Sequence, residues 1–423
     1  MSFDTISVVG LGYIGLPTAA MFASQKKNVI GVDVNQHAVD TINRGEIHIV
    51  EPGLYSIVNT AVNEGFLRAV TIPEAADAFL IAVPTPFKDS YNSVPEPDLT
   101  YIESASKSIA SVLKKGDLVI LESTSPVGAT ELMSEWLAKE RPDLRFPAFC
   151  SGTNCEPIDV NIAYCPERVL PGNVVKELID NDRVIGGMTS ECSRRAIELY
   201  KTFVQGECVV TNARTAEMSK LTENSCRDVQ IAFANELSII CDDLGIDVWE
   251  LISLANRHPR VDILQPGPGV GGHCIAVDPW FIVSKNPDLS RIIKCAREIN
   301  DFKPAWVIEK IRKEFTDLLL RHPAKSAQEL HLVFYGITFK PNIDDLRESP
   351  ALEILKGVRS TLPCKISVVE PNIKALPSGI CADSLITLEK GLETSDLNIL
   401  LVAHDEFRVS ALENADKLSF VKF

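Results

Sequence analysis

One cysteine stands at the end of a loop dense in glycine and proline, Gln265-Pro266-Gly267-Pro268-Gly269-Val270-Gly271-Gly272-His273-Cys274, with Asp278-Pro279 just beyond it. Glycines at that density let backbone approach a ligand closely, and the N–H groups they leave open hold an anion. A thiol at the edge of such a loop is poised to become a thiolate, the form that attacks carbon. Asp278 lies one helical turn past the sulfur, in reach of a water or a proton there. The plain alternative is a cysteine packed behind a turn. That reading suits the other ten of the eleven cysteines, which contain no CxxC pair and no disulfide framework.

A second set of chemical groups sits earlier in the chain. Thr215–Leu244 carries apolar residues at helical spacing over many turns and stops at Gly245. Lys220, Asn224 and Arg227 fall at i, i+4 and i+7 of that helix and so share one face. A lysine and an amide on one face can stabilise a developing oxyanion and move protons. Spacing alone favours a solvated charged face.

The third signal is Gly10-Leu11-Gly12-Tyr13-Ile14-Gly15, a GxGxxG between a strand pattern and a helix pattern. Glycine in those places allows a tight turn and close passage of a pyrophosphate at a helix N-terminus. The next strand pattern runs into Asp33, placed to accept hydrogen bonds from a ribose hydroxyl and to repel a 2′-phosphate. The pattern therefore predicts NAD over NADP. Pro84-Thr85-Pro86 and Ser123-Thr124-Ser125-Pro126 close the next two strand patterns, which makes Thr85 and Thr124 candidate cofactor contacts or, equally, helix caps.

Positioning these groups requires an α/β scaffold. Short β-branched runs at Thr5–Gly10, Val29–Val34, Ala78–Val83, Leu118–Ser123 and Asn161–Cys165 alternate with helix-length segments, the βαβ rhythm of a doubly wound parallel sheet. Strand patterns return at His331–Ile337, Lys365–Glu370 and Asn398–Val402 after a polar linker around Arg321–Gln328. The expected fold is two Rossmann-like doubly wound domains, 1–193 and 321–423, joined by a helical middle domain, 194–320, with a long central helix. That helix must bury its apolar stripe against another domain or a second subunit.

Composition excludes several classes. Forty-two basic residues against 57 acidic ones give a net charge of −15, which argues against a nucleic-acid partner. Residues 5–25 are uncharged but interrupted by glycine and proline and preceded by no basic residue, so they read neither as a signal peptide nor as a membrane span. A cytoplasmic location is expected.

Taken together, the GxGxxG, the helix segment Glu217–Asp228, the GGHC loop and Phe339-Lys340-Pro341-Asn342-Ile343-Asp344-Asp345-Leu346-Arg347-Glu348-Ser349-Pro350 resemble the UDP-glucose/UDP-mannuronate dehydrogenase family, in the same order and over nearly the whole chain. The resemblance implies a C-terminal domain that binds a UDP-sugar and a homodimer or higher oligomer built on the central helix. It implies Cys274 as nucleophile, Lys220 as proton donor and acceptor and oxyanion partner with Asn224, and Glu167 and Asp278 as the groups handling water and protons in thioester hydrolysis. Arg168, Val169, Arg227, His258, Arg260, Gly271 and Lys340 would contact the sugar nucleotide. Gly10, Gly12, Tyr13, Ile14, Gly15, Asp33, Thr85, Thr124 and Arg347 would contact NAD, and no metal is implied.

His273, Asp278-Pro279-Trp280 and Asn256-Arg257-His258-Pro259-Arg260 resemble the members that act on UDP-N-acetyl-D-mannosamine in enterobacterial common-antigen synthesis. What this implies is a four-electron oxidation at the sugar C6, from alcohol through a thiohemiacetal and a thioester on Cys274 to the uronate. Alternatives are the UDP-N-acetylglucosamine or UDP-glucose form of the reaction, a two-electron hydroxy-acid dehydrogenase needing no cysteine, and a non-catalytic nucleotide-binding module. The stretch Phe149–Val160, with Cys150 and Cys155, resembles an insertion and is assigned no function.

Overall fold

The computed structural model describes residues 3–49, 51–88, 94–148, 157–170, 172–272, 274–380, 385–408 and 420–422. The chain divides into two compact units, Met1–Glu223 and Asn224–Phe423. His273 and residues 149–156 of the expected insertion lie outside the described residues.

The first unit is built on eight strands: β1 (Thr5–Val9), β2 (Asn28–Val32), β3 (Leu67–Val70), β4 (Ala78–Ile81), β5 (Leu118–Leu121), β6 (Asn161–Tyr164), β7 (Arg183–Gly187) and β8 (Cys208–Asn212). Their order is β3-β2-β1-β4-β5-β6-β7-β8, parallel except where β7 runs against β6. Every residue of β4, β5 and β6 is buried, as expected for central strands covered on both faces. Alternate side chains feed opposite layers. Ile6, Val8, Leu80 and Ile120 enter one core, while Val9, Phe79, Ile81 and Val119 enter the other. Each such fully buried side chain contributes about 1.5–3 kcal/mol.

Three strands of this sheet were not legible in sequence. β3 is a four-residue edge strand, and β8 is half-exposed, so neither carries a continuous apolar run. β7 returns antiparallel, outside the βαβ rhythm. The expected domain limit at 193 falls inside helix Ser190–Tyr200, whose Leu199 and Tyr200 belong to the first core, and the sheet continues to Asn212.

The long helix spans Ala213–Leu244 and stops at Gly245, which takes φ +68°. In the second unit it is followed by helices Val248–Ala255, Asp278–Lys285 and Arg291–Arg321. The last runs 31 residues with Pro304 inside it, a residue that reads in sequence as a breaker. Its Val307, Ile311, Phe315 and Leu318 pack into the core of a second sheet. That sheet comprises β9 (His331–Tyr335), β10 (Lys365–Val369), β11 (Leu397–Leu400) and β12 (Phe420–Lys422), all parallel, in the order β10-β9-β11-β12. The expected linker is a capping box, Ser326 with Glu329, that ends just before β9. Among the described residues no helix is long and apolar enough to cross a membrane.

Candidate active site

In the first unit the strand order reverses between β1 and β4, and the loops at the carboxyl ends of the strands gather there. Gly10 follows β1 with φ +91°, and a Cβ on it would stand 2.6 Å from the Ala82 carbonyl oxygen. A Cβ on Gly15 would stand 1.8 Å from the Gly10 oxygen, whereas one on Gly12 would meet nothing within 4 Å. The first and third glycines are thus demanded by the fold, and the second leaves an open cradle. Helix Gly15–Ser24 begins at Ile14 with no side-chain cap and no acid in its first turn, so its positive end is left open to an anion. Tyr13 is exposed and Ile14 half-buried on the same turn.

Asp33, directly after β2, closes this cradle. Its Oδ2 accepts the Leu11 N–H at 2.9 Å and its Oδ1 accepts the Asn35 N–H at 2.9 Å, which fixes the carboxylate against the glycine turn. Thr85, beyond β4, holds its hydroxyl out of solvent with no hydrogen-bond partner among the described residues, which leaves it open to a ligand. Thr124, beyond β5, is half-buried. An open helix end, an acid just after β2 and an unsatisfied hydroxyl fit NAD.

A residue not predicted from sequence holds the loop after β5. Glu217, fully buried on the long helix, accepts the Gly128 N–H (2.7 Å), the Thr130 N–H (2.8 Å) and the Thr130 hydroxyl (2.6 Å). It caps helix Ala129–Glu140 from a distance of 87 residues in sequence, so no local signal announces it.

Glu167, expected as a proton-handling carboxylate, is a member of a buried ion pair. It is 8% exposed, its Oε1 accepts the Arg168 N–H at 2.7 Å, and its Oε2 accepts Arg183 Nη2 at 2.6 Å. Arg183 also lies over the Tyr200 ring, 4.3 Å from its centre, and 3.7 Å from Glu122. Burial raises the Glu122 carboxyl to about 7 despite that guanidinium, while Tyr200 Oη donates to its Oε1 at 2.5 Å. Arg168 is exposed and paired with Glu223 at 2.7 Å, and Val169 packs on the first core. Lys220, half-buried, completes the predicted residues of this unit.

In the second unit the loop carrying Cys274 meets the segment that follows β9. A Cβ on Gly269 would come within 2.9 Å of Pro350, and one on Gly271 within 2.3 Å of the Glu348 carbonyl oxygen. The Gly272 N–H donates to the Arg347 carbonyl at 3.3 Å. Gly271, expected as a substrate contact, is therefore required first by this close backbone approach. Cys274 is exposed, and its carbonyl accepts the N–H of Asp278 at 2.9 Å where helix Asp278–Lys285 starts. Asp278 is 2% exposed and accepts Asn224 Nδ2 at 2.5 Å.

Lys340 is half-buried and follows Phe339, whose side chain lies against Gly271 and Gly272, and its carbonyl accepts the Thr338 hydroxyl at 3.0 Å. Asn342 takes φ +63° and donates its N–H to His404 Nδ1 at 2.9 Å, which shapes the turn beyond Lys340. Arg347 forms a two-oxygen ion pair with Asp345, with contacts from 2.6 to 3.0 Å. Arg227, His258 and Arg260 are all exposed, with the Arg260 N–H donating to His258 Nδ1 at 3.3 Å. The structure thus brings Asn224, Asp278, Cys274, Gly271, Lys340 and Arg347 to one loop system.

Family models match the chain in three consecutive stretches: the NAD binding domain of the UDP-glucose/GDP-mannose dehydrogenase family over residues 4–204, its central domain over 214–302 and its UDP binding domain over 333–421. The chain is 66% identical to a UDP-N-acetyl-D-mannosamine dehydrogenase of Escherichia coli (strain K12), covering 97% of this chain and 96% of that one. It is 58% identical to an NDP-N-acetyl-D-galactosaminuronic acid dehydrogenase of Ralstonia nicotianae, covering 96% and 92%. A solved UDP-D-ManNAc dehydrogenase from Pyrococcus horikoshii superposes with a TM-score of 0.83 at 36% identity, covering 97% of this chain and 91% of that one.

Proposed function

The chain belongs to the UDP-glucose/GDP-mannose dehydrogenase family, and from that premise we propose that it oxidises UDP-N-acetyl-D-mannosamine at C6 to the uronate with NAD as oxidant. The observation that carries the substrate is the 66% identity, over 97% of the chain, to the Escherichia coli enzyme of that name. NAD, held by the Gly10–Gly15 turn, Asp33, Thr85 and Thr124, supplies the hydride acceptor for both oxidations.

The residues of the chain supply the rest. The Cys274 thiolate adds to the C6 aldehyde, forming a C–S bond and an alkoxide, and the thiohemiacetal keeps the reactive aldehyde in the site between oxidations. Lys220 and Asn224 stabilise that alkoxide, and Lys220 accepts and returns its proton. The second oxidation leaves a thioester, which water cleaves to the carboxylate and the thiol. Asp278, buried and fixed by Asn224, positions that water, whereas Glu167 with its Arg183 ion pair orients the Arg168 backbone. Arg168, Val169, Arg227, His258, Arg260, Gly271 and Lys340 form the sugar-nucleotide contacts, and Arg347 the distal cofactor contact. The 32-residue helix Ala213–Leu244 exposes Met218, Phe233, Ile240 and Leu244, and we assign its outer face to a homodimer contact.

The Ralstonia relative, named for NDP-N-acetyl-D-galactosaminuronic acid, motivates one competing substrate class, an N-acetyl-D-galactosamine nucleotide sugar. Incubating the protein with NAD and, separately, UDP-N-acetylmannosamine, UDP-N-acetylglucosamine, UDP-N-acetylgalactosamine and UDP-glucose while following NADH tests the assignment. The highest kcat/KM is expected for UDP-N-acetylmannosamine. A higher value for any of the others overturns it.

A further inference from the structure

The long helix holds the cysteine loop at both ends. Asn224 donates to Asp278, four residues after Cys274, and Asn235 accepts the Gly267 N–H at 2.9 Å, seven residues before it. The two asparagines are eleven residues apart, three turns of one helix, so they share a face with about 16 Å between them. Asn224 belongs to the predicted catalytic set. Asn235 does not, and it is fully buried.

Asn235 is one link of a directed chain. Its Nδ2 donates to Asn300 Oδ1 at 2.9 Å, Asn300 Nδ2 donates to Asp228 Oδ1 at 2.8 Å, and Arg297 Nη1 donates to the same oxygen at 2.6 Å. Asp228, Asn300 and Arg297 are each at most 1% exposed. Both ends fix the polarity. The Gly267 amide only donates, so it must meet Asn235 Oδ1, and the Asp228 carboxylate only accepts, so it must meet Asn300 Nδ2. Neither amide can turn over without setting like groups face to face in the core, at the full cost of an unmade buried hydrogen bond.

Resting on the functional reading above, we propose that Asn235, backed by Asn300 and Asp228, is a positioning residue that sets the entry of the nucleophile loop and so the aim of the Cys274 sulfur and of the loop amides around it. It touches neither substrate nor cofactor and acts through Gly267. A misplacement of about 1 Å at a reacting atom costs about a hundredfold in rate.

The test uses the full-length protein and three variants. Asn235→Ala removes the anchor, and Gly267→Pro removes the donor, from the loop rather than the core, so it carries the test if the alanine variant does not fold. Both are expected to lower kcat about a hundredfold while KM for the sugar nucleotide stays within about threefold. Asn235→Asp puts two acceptors opposite each other and should behave like the alanine variant.

The pH profile of Cys274 alkylation by iodoacetamide, followed by peptide mass spectrometry, needs no sugar nucleotide and should shift upward in Asn235→Ala and Gly267→Pro as the loop amides lose their aim on the thiolate. Native kcat and an unshifted alkylation profile in both Asn235→Ala and Gly267→Pro would overturn the proposal. If the native protein oxidises no UDP-sugar, the functional reading fails, and the alkylation profile still decides the positioning role.

Discussion

Asn224 Nδ2 donates to the Asp278 carboxylate at 2.5 Å, so the two residues expected to serve the oxyanion and the water are bonded to each other. Asn224 keeps its second amide hydrogen for an alkoxide only while Asp278 holds the first. Replacing Asn224 by alanine removes a donor and frees a buried carboxylate, and the expected cost is about 10²- to 10³-fold in kcat. Steady-state kinetics on the purified variant measure it, with a loss under tenfold counting against the role.

Gly271 stands where no side chain fits, a Cβ falling 2.3 Å from the Glu348 oxygen. Gly271→Ala should wedge the cysteine loop away from the segment after β9 and destabilise the protein by about 1–3 kcal/mol. Urea unfolding monitored by circular dichroism reads this directly. An unchanged midpoint would mean that the loop gives way at no cost.

Glu217 uses both oxygens as acceptors for Gly128 and Thr130. Glu217→Gln turns one of them into a donor facing an N–H, and a loss of about 1–3 kcal/mol is expected in the same unfolding assay. Because that loop also carries Thr124, the Kd for NAD should rise in the variant, measurable by calorimetry.

Glu122 gives a pH signature. Burial raises its carboxyl from 4.5 to about 7 in the folded protein, against the pull of Arg183. Between those values the folded state holds a proton that the unfolded state has released, so this group's contribution to stability falls as pH rises from about 4.5 to 7. Glu122→Gln keeps an acceptor for the Tyr200 hydroxyl and removes the titration. Its stability should depend less steeply on pH across that window than the native protein's, and an identical slope would refute the assignment.

The local parts of this site were legible in sequence because their physics is local. A glycine turn, an acid after the second strand, and a cysteine behind four glycines each advertise themselves within a dozen residues. What holds them was not. Glu217 reaches its partners across 87 residues, Asn235 reaches Asn300 across 65, and Asn224 reaches Asp278 across 54. Glu167 adds a case: the resemblance implies a carboxylate that handles water and protons, and no local signal announces its ion pair with Arg183 on β7. Pro304 lies inside a 31-residue helix, a local breaker accommodated where that helix packs on the second sheet.

The claim at the centre of this account is that one thiol, Cys274, carries the sugar through two oxidations. Counting NADH against UDP-N-acetyl-D-mannosamine consumed tests it most directly. Two NADH per sugar with uronate as the product is predicted for the native enzyme, and no uronate from Cys274→Ser with its fold intact. One NADH per sugar, or a full uronate yield from the serine variant, would contradict it.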